Sequence, residues 1–357
     1  MSWFSNLNES VQAALVGAAA SLLVLAVRDV AVKFWELRVE RRRTALAVYK
    51  QYADPLANSA SSLMWRLHEI FHAPGRATFL VNQDPRTSFE SYKRRSTLYR
   101  IASLLGWIRA LRRELSFLSL ADNRRLAPVD GAIFRLEASL ADGPHVERER
   151  LNRLCAFWEW EQPQDEARAA GIAASLERIV KKRQHQAGVH VADQLEVRDQ
   201  EELCLAVVSA LGQELGTRSL SPEEIGAQRA AIIRRIAVRE AWLYRDWQSG
   251  LGDLLILETK RGDRRFEVVG YRDFERLLLS SERPDGIWIE RLSQMIDGID
   301  LTTSDAERYD ARIDQLRNTM VAVAALVLAL NQASPRRQPV QSTAIEKARW
   351  ILEDRDA

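Results

Sequence analysis

His68-Glu69-Ile70-Phe71-His72 sets two histidines four residues apart, with a glutamate beside the first. On a helix that spacing puts both imidazoles on one face, where they can grip zinc while the glutamate activates a bound water. A catalytic zinc takes three protein ligands and keeps a fourth position open. Glu90 is the candidate third ligand, because Thr78, closer in sequence, is not a usual one. A second constellation is the apolar run Leu254–Leu257 followed by Glu258-x-Lys260. There a carboxylate can hold Mg²⁺ and a lysine can assist the attacking water. A third is the basic face formed by Arg94, Arg95, Arg109, Arg112 and Arg113. Such a run is ordinarily a solvated helix face, and in the alternative it meets anionic lipid or an acidic partner.

The context that would turn these residues into an active site is missing. Arg66 and Pro74 sit where zinc-protease helices are uncharged and free of proline, and no sheet-forming sequence precedes the motif. Glu258-x-Lys260 resembles the core of restriction-type nucleases. However, Asp253 is too close in sequence to be the second carboxylate, Asp246 falls on an expected helix, and no large central sheet is readable. The chain has no G-x-x-x-x-G-K-[ST], G-x-G-x-x-G or G-x-S-x-G. Cys155 and Cys204 form neither a disulfide framework nor a metal spacing, and Cys155 near His145 reads as a packed thiol beside a solvated histidine. No catalytic, cofactor or metal residue is therefore assigned, and zinc at His68, His72 and Glu90 stands only as the alternative.

The elements that carry these residues are helical. The chain has 357 residues and is 46% hydrophobic, enough for a sizeable core after any anchor is subtracted. Net charge is +2, so nothing draws the whole molecule toward nucleic acid, and no nucleic-acid partner is expected. From Ser10 to Val27 there is no charged residue. Eighteen helical residues span roughly 27 Å, near the hydrocarbon thickness of a bilayer. The first 27 residues hold no basic side chain, whereas residues 28–50 carry Arg28, Lys33, Arg38, Arg41, Arg42, Arg43 and Lys50. The positive-inside rule then gives a single-pass protein with residues 1–10 outside, 11–32 in the membrane and the rest cytoplasmic. Ala13, Gly17 and Ser21, with Asp29 roughly on the same line, form a small-residue stripe along which two copies could associate. Heavy arginine and alanine use suggests a bacterial chain, hence a bacterial inner membrane.

Beyond the anchor the sequence predicts a helical connector at 33–53, broken by Asp54-Pro55, and then a helical domain over 54–332. Leu56–Phe71 is amphipathic. Residues 89–118 place Leu98, Ile101, Leu105, Ile108, Leu111, Leu115 and Leu118 at helical steps. Ser221-Pro222-Glu223-Glu224 caps a helix expected to run to about Trp247. Ser304-x-x-Glu307 opens another, with Ile313, Leu316, Met320, Val323, Val327 and Leu330 as its buried seam. A β-hairpin is expected at about 254–269. Polar connectors at 161–165, 183–200 and 214–221 delimit an inserted helical pair, and 333–357 is a linker with a short helix opened by Thr343-x-x-Glu346.

Several short strings recur together: Tyr52-x-Asp54-Pro55-Leu56, Trp65-Arg66-Leu67, Thr97-Leu98-Tyr99, Leu105-Gly106-Trp107 and Arg112-Arg113-Glu114, then Leu251-Gly252-Asp253-Leu254-Leu255-Ile256 and Val269-Gly270-Tyr271-Arg272-Asp273-Phe274. They resemble a family of uncharacterised bacterial helical proteins, some with an N-terminal anchor. The resemblance covers roughly 45–120 and 245–330, implies the same fold class and brings no activity. The sequence thus predicts an all-α protein with an N-terminal transmembrane helix, a cytoplasmic bundle and one small hairpin. Its expected role is through contacts with an unknown protein partner, as scaffold, sensor or regulatory subunit. The alternatives are a metal-dependent hydrolase and an oligomeric membrane effector.

Overall fold

One helix, α1 (Glu9–His72), covers the expected anchor, the connector and the segment after Pro55 without a break. The computed structural model describes residues 8–81, 87–115, 118, 120, 123–143, 146–259, 262–279, 286–302, 310–334 and 339–354; for residues 9–27, Val30 and Pro74 it describes the backbone alone. The expected stop at Asp54-Pro55 is corrected. Proline lacks the N–H that would bond the carbonyl four residues back, which here is Gln51, and its ring crowds that carbonyl. The Gln51 carbonyl is not left unpaired: Arg264 Nη1, from the hairpin, donates to it at 3.3 Å. Tertiary contact thus replaces the missing intrahelical bond, a repair that local sequence does not announce.

From Ala45 onward α1 buries Tyr49, Tyr52, Leu56, Ala60, Leu63, Leu67 and Ile70, at steps of three and four. They pack against α2 (Ser88–Leu115), α12 (Ala311–Ala333) and α13 (Ser342–Glu353). Pairings of Tyr52 with Glu114, Ser59 with Ser103 and Glu69 with Lys93 show that α1 and α2 run antiparallel. On α12 the expected seam is buried at Leu316, Met320, Val323, Val327 and Leu330, while Ile313 is partly exposed. By length and composition α12 could cross a membrane, but 61% of its apolar window is buried. It packs against α3 (Ala127–Ala141), α1 and α13, as the core helix the sequence predicts. The proposed cap Ser304 and Glu307 lie outside the described residues; α12 is capped by Asp310, which accepts from Arg312 N at 3.1 Å.

The hairpin is present as β1 (Ile256–Glu258) and β2 (Phe266–Val268), antiparallel, with Ile256 opposite Val268 and Glu258 opposite Phe266. Two short strands need a support, and α1 and α2 provide it. Phe266 is buried and its N–H donates to Tyr52 Oη at 3.2 Å, while Val268 lies over Gly106 of α2.

Buried side chains form two main cores. The first joins α1, α2, α3, α9 (Arg245–Leu255), the hairpin, α10 (Tyr271–Leu279), α11 (Gly286–Gln294), α12 and α13. The second joins α4 (Val146–Phe157), α5 (Glu166–Ala187), α6 (Val197–Leu215), α7 (Pro222–Ala227) and α8 (Arg229–Ile236). The insertion is therefore a five-helix unit rather than a pair. The stretch 183–200 is not all connector, since α5 extends to Ala187 and α6 starts at Val197. The helix expected from 222 to 247 is also corrected. It is divided at Gln228 into α7 and α8 and ends at Ile236, and the following backbone bonds elsewhere: Leu243 N to Leu140 O at 2.8 Å, and Ala311 N to Arg239 O at 3.0 Å. Ala241, Trp242 and Leu243 are buried in this non-helical segment, so its apolar content imitates a helix.

Helices α2 and α9 approach closely at glycine. A Cβ on Gly252 would stand 2.7 Å from Arg109 Cβ and 3.3 Å from the Leu105 carbonyl oxygen. Neither atom is the free end of a flexible chain. Gly252→Ala is expected to cost about 1–3 kcal/mol, the usual range for overpacking a tight contact, read as a lowered midpoint in urea unfolding. An unchanged midpoint would mean that α9 sits farther from α2.

Candidate functional site

His68 and His72 lie at the end of α1, where α13 packs beside them and His72 stays exposed. Their rings stack with centroids 4.4 Å apart and planes 9° from parallel, and Trp350 stands edge-on to both at 5.2 and 4.9 Å. Lys347 Nζ donates to His68 Nε2 at 3.3 Å, so that nitrogen is an acceptor on a neutral ring. His72 Nε2 lies 3.7 Å from Asp354. A zinc ion needs nitrogen lone pairs to converge on one point at about 2 Å. Lone pairs lie in the ring plane, and nearly parallel stacked planes do not converge. Glu69 is engaged by Lys93 at 3.0 Å and Arg66 at 3.1 Å. Burial alone would raise its carboxyl, but the Lys93 hydrogen bond and the charges of Arg66, Lys93 and Arg76 bring it below the usual range. Glu90 closes a capping box at the start of α2. Thr87 N donates to Glu90 Oε2 at 3.2 Å, and Glu90 N donates to Thr87 Oγ1 at 3.1 Å. Among the described residues, no three His, Cys, Asp or Glu side chains come together as a metal site.

Of the charged groups in the second constellation, only the carboxylates lie among the described residues. Glu258 accepts from Arg265 Nε at 2.8 Å across the hairpin, and Lys260 lies outside the described residues. Asp253 receives two bonds from Arg109, at 2.8 and 2.7 Å, and lies 3.6 Å from Arg113.

The five arginines of the basic face turn toward carboxylates of the same chain. Arg94 grips Asp297 through two bonds of 2.6 and 2.5 Å, and Arg95 reaches Glu275 at 2.6 Å. Arg112 grips Glu137 of α3 with both terminal nitrogens. Arg113 also lies over the Phe266 ring at 5.0 Å. Forked guanidinium–carboxylate pairs of this kind fix orientation as well as charge. The partners are far away in sequence, so the run alone could not reveal them. The thiols of Cys155 and Cys204 are buried, the latter pushed up to about 12 by burial, with Arg229 opposing and Glu201 adding. His145 lies outside the described residues.

Two groups matter that the sequence reading did not name. Trp350 and Lys347, from α13, complete the histidine cluster. Arg100, the one arginine of α2 left out of the basic face, lines a groove between α1 and α2. Position offered a clue for Arg100, which sits on the apolar side of the α2 pattern between Leu98 and Ile101. Compared with known proteins, the chain matches no family model, no curated protein and no solved structure.

Burial, then the Lys347 charge, then His72 hold the His68 imidazole down at about 4. An unfolded histidine titrates near 6.5. Between these values the unfolded chain binds a proton that the folded chain refuses, so stability falls as pH drops from about 6.5 toward 4, with no contribution above. Melting temperature measured from pH 7 to 4.5 should decline in this window, and His68→Gln should flatten the decline. An unaltered slope in the variant would place the titrating group elsewhere.

Proposed function

We propose that this chain is a membrane-tethered helical protein of the bacterial cytoplasmic face that acts through contacts, as a scaffold, sensor or regulatory subunit. The observation that carries the reading is the bare stretch of α1 ahead of the bundle. From Arg28 to Thr44 no described side chain is buried, and Phe34 and Trp35 are 68% and 66% exposed. Large aromatic side chains left uncovered beside basic residues suit the headgroup level of a bilayer. They directly follow the uncharged run Ser10–Val27. In this reading the 17 residues from Arg28 to Thr44 form a stalk of about 25 Å.

Association of two copies along Ala13, Gly17, Ser21 and Asp29 remains part of the proposal; Asp29 is exposed and lies 3.7 Å from Arg28. The hydrolase alternative draws no support from histidines stacked face to face, with an ammonium on one of them.

Two measurements test the reading in cells. With a reporter fused after residue 357, the full chain should sediment with membranes after carbonate washing and report a cytoplasmic location. Replacing Val16 and Leu23 by lysine should move it to the soluble fraction, because each charge at the bilayer centre costs roughly 2.5–3.5 kcal/mol. Release of the unmodified chain by carbonate would overturn the tether.

A further inference from the structure

The antiparallel contact between α1 and α2 is polar along one line. On α1, Pro55, Ser59, Ser62, Arg66 and Glu69 follow one another at steps of four and three, so they share a face. On α2 the facing residues include Trp107, Ser103, Arg100 and Lys93. Between the helices lies a groove of about 310 Å³, walled by Trp107 and by Ser59, Ser62 and Ser103, with Arg100 in its lining.

Arg100 differs from the other arginines of α2. Arg94, Arg95, Arg109, Arg112 and Arg113 each pair with a carboxylate. The bond that Arg100 makes is from Nη1 to the Ser62 carbonyl at 3.0 Å, and no carboxylate lies in ion-pair contact with it among the described residues. Behind it, Arg66 is 5% exposed, and its Nε and Nη1 make no hydrogen bond, although Nη1 stands 3.1 Å from Glu69. Lys93, 12% exposed, uses the same Glu69. Arg66 and Lys93 therefore share Glu69, and among the described residues no carboxylate is left in contact with Arg100. Burial and the nearby Arg66 charge lower the Arg100 guanidinium, against weaker support from Tyr92 and Glu69. A desolvated cation without a counter-charge is costly, and an incoming anion would relieve that cost.

The hydroxyls point the same way. Ser59 and Ser103 meet at 3.4 Å and Ser103 also pairs with the Tyr99 hydroxyl, whereas the Ser62 and Asn58 side chains make no hydrogen bond among the described residues. The Ser62 and Asn58 donors thus remain free beside a cation that has no carboxylate in contact among the described residues. We propose that this groove binds a small anion through a carboxylate or phosphate group, seated on the Arg100 guanidinium and the hydroxyls of Ser59, Ser62 and Ser103. The volume is at the lower end for small-molecule sites and suits a compact organic acid or phosphate monoester. The proposal is independent of the membrane tether.

Calorimetric titration of the full chain in nonionic detergent tests it. The probes are sodium phosphate, sodium succinate and dihexanoyl phosphatidylglycerol below its micelle concentration, each at constant ionic strength. The expected result is saturable binding of phosphate or succinate, weakened at least tenfold by Arg100→Gln and at least threefold by Ser62→Ala. Arg95→Gln, whose arginine pairs with Glu275, should bind as the parent does. Binding of the short lipid alone, with the same loss in Arg100→Gln, would keep the anion site and assign it to a headgroup. If Arg100→Gln loses its helical circular dichroism, Ser62→Ala decides. No saturable binding of any probe, or undiminished binding by the folded variants, would overturn the proposal.

Discussion

Helix α1 stays whole past a proline because a distant arginine takes up the carbonyl that the proline strands. Arg264, on the hairpin, bonds Gln51 while also holding Glu267 and lying over the Trp107 ring of α2. That guanidinium ties helix, hairpin and second helix at the point where α1 should be weakest. The consequence is mechanical. The exposed stretch Arg28–Thr44 of α1 and its buried part from Ala45 onward belong to one continuous helix, so no loop joins them. A kink at Pro55 would disturb Tyr52, which bonds both Glu114 and the Phe266 backbone, and with it the seat of the hairpin.

The second organising feature is the orientation of charge on α2. Apolar burial supplies the main stabilisation of such a bundle, while partly exposed ion pairs each contribute little. Their value lies in register. Arg94, Arg109 and Arg112 make two-point contacts with Asp297, Asp253 and Glu137, so α2 cannot slide or rotate against α3, α9 or the segment after α11 without breaking a fork. Against that background Arg100 stands out, because among the described residues no carboxylate is in ion-pair contact with it.

Much of the architecture was readable because it follows from local pattern. Apart from Ile313 and Leu118, which are partly exposed, the seams of α2 and α12 obey helical spacing and are buried as that spacing requires, and the hairpin was visible as two apolar runs around Lys260-Arg261-Gly262-Asp263. Three of the misreadings depended on long-range contact. Pro55 reads as a stop until Arg264 is brought to Gln51. The 237–244 segment reads as helix because its buried side chains keep apolar content while its backbone bonds to Leu140 and Ala311. The arginine run reads as solvated because Asp253, Glu275 and Asp297 are more than a hundred residues away. His68 and His72 were found by spacing, but their stacked geometry is imposed by Trp350 and Lys347 from the far end of the chain.

In the proposed reading, the one continuous helix α1 passes from lipid to water to protein core. Spin labels placed singly from Ser10 to Thr44 in the full chain, reconstituted in bilayers, measure this most directly through accessibility to oxygen and to a polar nickel complex. Labels from Ser10 to Val27 should be oxygen-accessible and shielded from nickel, with a switch to nickel accessibility between Arg28 and Trp35, continuing with helical period to Thr44. Nickel accessibility throughout Ser10–Val27, or uniform protection of Arg28–Thr44 from both reagents, would contradict the account.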